Sequence, residues 1–557
     1  MYAHRLSEAD LSAKPDAIGD VIEARARELG DKPYLRFLGD GEEISYRDID
    51  RSSAEFGKGL LAFGLAPGDK LGLLLGGSRL YVTAWFAALR ASIPDVAINS
   101  EFRGDVLDHA IRKIEVSAII SDADGLDALA TAGAEALSQV KLLVVPDEIY
   151  DRAMALYMDR GAIGRIIRVS EVEAAGRASV QPFAKVESTG LASIRFSSGT
   201  TGMPKGVMMD HGHMLASARK FNDLADLGTD DVHYSCFPFH HVFATITGVL
   251  STLCAGATLI VSRKFSASRY WREIRENGVT RAHILDPLIA LLMKQPPSER
   301  DRQHKVPVMY TAAGHYPDFE ERFGVRIISL YDMSELTVVA HYPEGVERKP
   351  GSCGMPSGLF DIMIADDDGF EVPDGTDGEI LVRPRHRSIM FMGYYNDAEQ
   401  TVARWRDMWF ETGDRGRKDP DGYFYFLGRS GDRIRRRGVN ISADQIEKIA
   451  LAHPHILECS AIAVPSDVNE DDIKLCAKLT PAAACHEADI LEYLREALPK
   501  AMTVRYVELF DDLPKTQTEK IKRADLRRMG QAGLTPATWD CEIGAYWAMA
   551  EVMEQGR

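Results

Sequence analysis

Cysteine is scarce in this chain, at seven residues of 557. The seven are scattered and never spaced C-x-x-C. That pattern excludes a disulfide framework and a zinc ribbon, and it reads as the reduced thiols of a cytoplasmic protein. Positive charge is in deficit as well. The 66 Lys and Arg face 83 Asp and Glu, a formal charge of −17, whereas a protein whose main task is to hold nucleic acid needs clustered cations. Any anionic ligand must be met by local cations or by backbone N–H groups. Long apolar runs are missing too. The longest uncharged stretch, ATITGVLSTLCAGATLIVS at 244–262, is broken by Gly, Thr and Ser, and predicts a buried helix running into a buried strand more than a membrane span. The first twenty residues lack the charged start, apolar core and cleavage site of a signal peptide. The expectation is a cytoplasmic protein without an integral membrane segment.

What the chain does have is the balance of an ordinary globular protein, 45% apolar and 27% charged. Its length predicts three or more structural units. Helical spacing at 47–64 and 80–89 alternates with short apolar runs at 71–75, 116–120, 141–145, 257–261 and 325–328. Such runs between helices predict largely parallel sheets covered on both faces, an α/β fold. From about 351 to 429, Gly, Pro and Asp punctuate short strands, as in MPSGLFDIMIADDDG and DPDGYFYFLGR, which predicts a β-rich subdomain. After Gly428 come a basic loop and a small α/β pattern. The expected division is a large domain over 1–429, a small mobile α+β domain over 430–530, and a helix-compatible tail over 531–557.

The strongest local signal is Ser197-Ser198-Gly199-Thr200-Thr201-Gly202-Met203-Pro204-Lys205-Gly206. Hydroxyls, glycines and a lysine make a loop rich in N–H and O–H donors that can wrap phosphate oxygens, because glycine lets the backbone approach closely. It is not a Walker A loop, whose G-x-x-x-x-G-K-[ST] spacing it lacks.

This segment resembles the phosphate loop of the adenylate-forming enzymes: acyl-CoA synthetases, carrier-protein adenylation domains and luciferases. Further segments follow in that family's order. They are PFHHVF (Pro238–Phe243), TAAGH (Thr311–His315), Tyr331-Asp332-Met333-Ser334-Glu335, Glu411-Thr412-Gly413-Asp414, Gly428-Arg429, and Pro514-Lys515-Thr516-Gln517-Thr518-Glu519-Lys520. The resemblance spans about residues 20–530. It implies a two-step reaction, in which a carboxylate attacks the α-phosphorus of ATP to give an acyl-adenylate and a thiol then displaces AMP. The protein supplies positioning and charge neutralisation.

The resemblance also assigns roles. Ser197, Ser198, Gly199, Thr200, Thr201, Gly202 and Lys205 hold phosphates. Glu335 ligates Mg²⁺, a hard ion suited to oxygen. Asp414 accepts the ribose hydroxyls and Arg429 lies beside them. Tyr331 stacks on adenine, with Ala312, Ala313, Gly314, Asp332, Met333 and Ser334 along its edge. Lys520 bridges the substrate carboxylate and the α-phosphate, although Glu519 stands where the family has glycine. His241 sits beside the carboxylate, with His240 one position away. Gly431 is the hinge of a rotating C-terminal domain, and glycine tolerates either set of torsions. Arg435, Arg436, Arg437 and Gly438 meet coenzyme A.

The acyl pocket is expected from His240, His241, Thr245, His315, Asp332, Met333 and His341. The drift of the sequence, including AINSEFRGD and KQPPSERDR, looks most like the carnitine/crotonobetaine-type ligases, and a betaine would suit Asp332. The substrates implied are a carboxylic acid, ATP and CoA, with Mg²⁺, and a homodimer is compatible. Two other readings stand beside this one: a stand-alone adenylation protein loading a phosphopantetheinyl carrier, and a non-enzymatic nucleotide-binding relative.

Overall fold

The short apolar runs become strands. They form Lys70–Leu74, Val116–Ser121, Leu142–Val145 and Thr258–Ser262, and the first part of Arg326–Met333. The computed structural model describes residues 6–39, 41–157, 163–197, 203–293, 295–312, 316–343, 345–429, 433–436, 439–466, 470–480, 483, 485–514, 521 and 523–547. The chain divides into two compact units, one built from most of the residues up to Gly428 and the other mainly from Arg429 onward.

The larger unit holds two mostly parallel sheets. In the eight-stranded sheet, Leu191–Ser197, Asp95–Ala97, Lys70–Leu74, Val116–Ser121, Leu142–Val145 and Arg165–Arg168 run parallel in that order. Lys205–Asp210 and then Gly393–Tyr394 extend one edge antiparallel. In the nine-stranded sheet the parallel core is Arg326–Met333, Val308–Ala312, Arg281–His283, Val232–Ser235, Thr258–Ser262 and Pro33–Leu38. Antiparallel strands finish both edges: Leu336–His341 and Met355–Pro356 on one side, Glu43–Ser45 on the other.

Helices cover the sheets. Tyr46–Ala62 starts at Ser45, whose Oγ accepts the Asp48 N–H at 3.0 Å, a side-chain N-cap. It crosses Val169–Ala178 so closely that a Cβ on Gly59 would lie 2.0 Å from Val172 O, and one on Gly176 1.8 Å from Glu55 O. The 244–262 stretch is a helix entering a strand, as expected. Its helical part contains a π-turn, Thr245–Leu250, before Ser251–Ala255. Among the described residues, no helix is long and apolar enough to cross a membrane.

The β-rich region is a five-stranded antiparallel sheet of Phe360–Ala365, Gly378–Pro384, Trp409–Lys418, Trp405–Arg406 and Phe424–Arg429. Two short strands of the same stretch go elsewhere. Met355–Pro356 joins the nine-stranded sheet and Gly393–Tyr394 the eight-stranded one.

In the smaller unit, Ile456–Pro465, Asp471–Leu479, Tyr506–Leu509, Trp539–Asp540 and Ala545–Tyr546 form a five-stranded sheet packed with Ala443–Leu451 and Glu487–Ala497. The expectation of a helix-compatible tail over 531–557 needs correction for its described part, 531–547. Two short strands after residue 538 extend this sheet from Tyr506–Leu509. Polar contacts pin them. The buried Lys474 ammonium pairs with Glu508 and donates to Gly533 O at 2.6 Å and Thr538 Oγ1 at 3.0 Å. Arg505 joins Asp472 at 2.9 Å to Asp540 at 3.0 Å.

Candidate active site

The hydroxyl- and glycine-rich loop joins two antiparallel strands, with Ser197 and Lys205 directly opposite each other across the ladder. A Walker A loop leads from a strand into a helix; this one returns as a hairpin, so both ends are fixed to one sheet. Its tip, 198–202, lies outside the described residues, and with it the expected positions Ser198, Gly199, Thr200, Thr201 and Gly202.

A polar cluster gathers at the two fixed ends. Glu335 stands in the tight turn between Arg326–Met333 and Leu336–His341, where Met333 faces Leu336. It is only 6% exposed. Its Oε1 accepts the Tyr394 hydroxyl at 2.9 Å and lies 3.5 Å from Ser197 Oγ. The buried Lys205 ammonium donates to Gln400 Oε1 at 3.0 Å and sits 5.1 Å from the centre of the Tyr394 ring. Burial lowers its pKa, Arg404 adds to that, and Asp397 and Glu335 oppose it. A half-dehydrated ammonium beside a carboxylate is a setting that an incoming polyanion with its own cation would relieve. Tyr394 is placed by Gly393, whose φ of +122° is a glycine conformation and whose added Cβ would lie 3.0 Å from Thr401 Cγ2.

Two more expected nucleotide residues meet one another. The Tyr331 hydroxyl donates to Asp414 Oδ2 at 2.7 Å, and both residues are buried. Asp414 is held by its own N–H, which donates to Thr412 Oγ1 at 3.1 Å, while that hydroxyl donates to Ile380 O at 2.6 Å. Phe426 stacks on Tyr331 with ring centres 6.1 Å apart.

The paired histidines lie in the loop that follows the strand Val232–Ser235. His241 caps the next helical turn, its Nδ1 accepting the Phe243 N–H at 3.2 Å. That bond fixes the tautomer of the neutral ring and makes Nε2 a donor. Burial keeps the ring neutral by lowering its pKa to about 4, and His240 to about 3 with help from His241 and Arg195. Thr245 opens the π-turn and donates to His241 O at 3.2 Å. Asp332 and Met333 end the strand Arg326–Met333 and are half-buried, as is Ser334 in the turn beyond. His341 does not share their level. It pairs across from Leu330, back along the hairpin, beside the helix His211–Ala225, and burial lowers its pKa to about 4 with Lys220 contributing.

Residues 22–395 match the model of the AMP-binding enzyme family, and 445–520 match the AMP-binding enzyme C-terminal domain. The chain is an AMP-binding enzyme. Among curated proteins it is 27% identical over 522 residues to a crotonobetaine/carnitine–CoA ligase of Salmonella enteritidis, covering 89% of this chain and 96% of that one. A protein of the same name from Escherichia coli O157:H7 is 26% identical over 490 residues, covering 87% and 93%. Solved structures share the fold. The o-succinylbenzoate CoA synthetase of Bacillus subtilis superposes with a TM-score of 0.72 at 20% identity, over 91% of this chain and 98% of that one. The anthranilate CoA ligase AuaEII gives 0.67 at 22%, over 94% and 99%.

Other expected sites of this AMP-binding enzyme fall at or past the edge of the described residues. Ala312 ends the strand Val308–Ala312, and Ala313, Gly314 and His315 lie outside the described residues. So do Gly431, Arg437, Gly438 and Lys520. Arg429 and Arg435 occupy strands, with only their backbones described. Arg436, expected at coenzyme A, is instead buried in its own unit. Its Nε pairs with Asp472 at 3.2 Å and its NH1 donates to Thr503 O. Sequence reasoning missed Tyr394 and Gln400. Tyr394 lies 59 positions from Glu335 and had one cue, the Met-Gly-Tyr-Tyr segment, where an aromatic follows a glycine inside a strand-like run.

Proposed function

We propose that this AMP-binding enzyme is an AMP-forming acyl-CoA ligase. A carboxylate oxygen attacks the α-phosphorus of ATP and pyrophosphate leaves. The thiol sulfur of coenzyme A then attacks the acyl carbon, and AMP leaves. The observation that carries this reading is the cluster of Ser197, Lys205, Glu335 and Tyr394 at the foot of the donor-rich loop, with Glu335 in the turn of the hairpin whose first strand carries Tyr331, the partner of Asp414.

The chain's own residues divide the work. The loop donors Ser197 to Gly202 and Lys205 hold the triphosphate. Glu335 fits Mg²⁺: both hydroxyls reach its Oε1, and one carboxylate completed by phosphate oxygens and water is an ordinary ligand set for that ion. The ion would neutralise charge on the phosphates. Tyr331, with Phe426 stacked beside it, stacks on adenine. Asp414 receives the ribose, with Arg429 nearby. His241 offers Nε2–H to the substrate carboxylate, and Lys520 brings an ammonium to the α-phosphate. Gly431 acts as the hinge. Arg435, Arg437 and Gly438 serve coenzyme A; Arg436 is given to Asp472. A cytoplasmic setting supplies both ATP and CoA.

The acid is read as small and polar. The curated relatives are named for crotonobetaine and carnitine, and Asp332 offers a half-buried carboxylate to a cationic group. The test is acid-dependent ATP–pyrophosphate exchange over a panel of betaines, aliphatic acids and aromatic acids, followed by product formation with free CoA. Lys520→Ala is expected to lose exchange while keeping thioester formation from preformed acyl-adenylate. Absence of exchange with every acid overturns the ligase reading, and exchange without any product on free CoA favours a carrier-protein acceptor.

A further inference from the structure

One buried pair of histidines was singled out by no motif. His233 and His283 are 0% and 1% exposed. His233 Nε2 and His283 Nδ1 lie 3.0 Å apart, and His233 Nδ1 lies 3.3 Å from Thr252 Oγ1. The line Thr252–His233–His283 therefore has one open end. His283 Nε2 is buried and has no hydrogen-bond partner among the described residues. Leaving such an atom unmet is costly, so it marks either a defect or a place kept for something else.

Topology decides between these. His283 is the last residue of its strand, at the carboxyl edge of the parallel sheet, where open α/β sheets bind ligands. Its two neighbouring strands are Val232–Ser235 and Val308–Ala312. The first runs on into the His240-His241 loop, and the second ends at Ala312. His283 thus ends its strand beside the strand that feeds the loop the sequence assigned to the acid. Rings tie it to the first loop. Phe237 stacks on His283 at 5.0 Å, Phe243 meets it at 5.4 Å, and His241 meets Phe243 at 5.6 Å.

The chemistry of the line is particular. Burial disfavours the charged form of both rings, so each carries one N–H. If Thr252 donates, His233 donates to His283 and the open Nε2 is a donor. If Thr252 accepts, every bond reverses and the open Nε2 is an acceptor. One concerted flip changes the end from donor to acceptor without moving charge.

Building on the ligase reading above, we propose that His283, oriented by His233 and Thr252, is a specificity-determining residue of the acyl pocket, selecting acids that carry a neutral hydrogen-bonding group, either hydroxyl or carbonyl, beyond the carboxylate. Phe237 and Phe243 supply the apolar wall around that single polar point.

The test uses the full chain and pyrophosphate exchange with three matched acid pairs: carnitine and its deoxy analogue, 4-oxopentanoate and 4-methylpentanoate, and 3-hydroxybenzoate and 3-methylbenzoate. In whichever pair is turned over, the oxygen-bearing acid is expected to lead by about tenfold or more in kcat/KM. His283→Phe should erase that lead while leaving the KM for ATP unchanged, and His283→Asn should keep much of it. Thr252→Val, which removes the far end of the line, should change the ratio of hydroxyl- to carbonyl-bearing acids without touching the ATP step, and serves if His283→Phe does not fold. An unchanged preference in both His283→Phe and Thr252→Val overturns the proposal, as does a wild-type preference for the methyl or deoxy member. Failure of all six acids and of a broad panel to support exchange would instead sink the ligase reading.

Discussion

Some of the buried polar groups in the two units of this AMP-binding enzyme are treated differently. In the small unit they are closed on each other. Lys474 meets Glu508, Thr538 and a backbone carbonyl, and Arg436, Asp472, Arg505 and Asp540 form an unbroken series of ion pairs. In the large unit Lys205, its pKa lowered by burial, and Glu335 each hold a hydrogen bond at the foot of the donor-rich loop, and His283 Nε2 has no hydrogen-bond partner among the described residues. Closed networks favour one rigid arrangement, whereas open ones hold interaction energy in reserve for a ligand. The contrast sets the residues proposed for the triphosphate and the acid apart from Lys474 and Arg436, whose contacts serve the small unit's own structure.

The comparison can be broken most severely in the small unit. Lys474→Met strands the buried Glu508 and is expected to cost about 3–5 kcal/mol in denaturant unfolding. Adding Glu508→Leu should return most of it, because the pair is then replaced by apolar bulk; no recovery would show that Gly533 and Thr538 hold the lysine for a different reason. In the large unit the expected effect moves from stability to rate. Glu335→Gln keeps an oxygen for the Tyr394 hydroxyl, so the melting temperature should hold, while pyrophosphate exchange falls by about a hundredfold or more. A variant that melts early but retains its rate would reverse that assignment.

Acid sharpens the contrast next. His213 and His233 are held neutral by burial, with pKa values near 3 in the fold against 6.5 in open chain. Their contribution is complete above about pH 6.5 and is lost as pH falls toward 3, because the unfolded chain takes up protons that the fold refuses. Each should cost about 1.4 kcal/mol per pH unit across that window. Unfolding followed against pH should show the slope, and His233→Phe should flatten it. The smallest effect is expected for Tyr394→Phe. It removes one hydroxyl from Glu335 but leaves the ring over Lys205, so exchange should fall about tenfold with little change in stability.

Much of this was legible in the chain, for reasons that differ by region. The parallel strands announced themselves because burial on both faces demands continuous apolar runs, as at 71–75 and 116–120. The AMP-binding family was legible because the residue types and order of its motifs resemble that family closely. The tail was misread. Two-residue strands such as Trp539–Asp540 are too short to show a period, and what makes them strands is the long-range ladder to Tyr506–Leu509. Tyr394 was missed because the ladder that brings it to Lys205 and Glu335 joins strands nearly two hundred positions apart. His233 and His283 were silent for a related reason: an isolated histidine in an apolar strand looks like core until its partner's place in the sheet is known. Arg436 shows the converse error, since a run of arginines says nothing about which of them the protein keeps for itself.

The hydroxyl of Tyr331 already donates to one oxygen of Asp414. In the proposed ribose role of Asp414, the sugar hydroxyls share that carboxylate with the phenol or displace it. On that proposal a nucleotide lacking its 2′-alcohol competes less well with the Tyr331 phenol for Asp414, so this one aromatic side chain sharpens the choice of ribo- over deoxyribonucleotide.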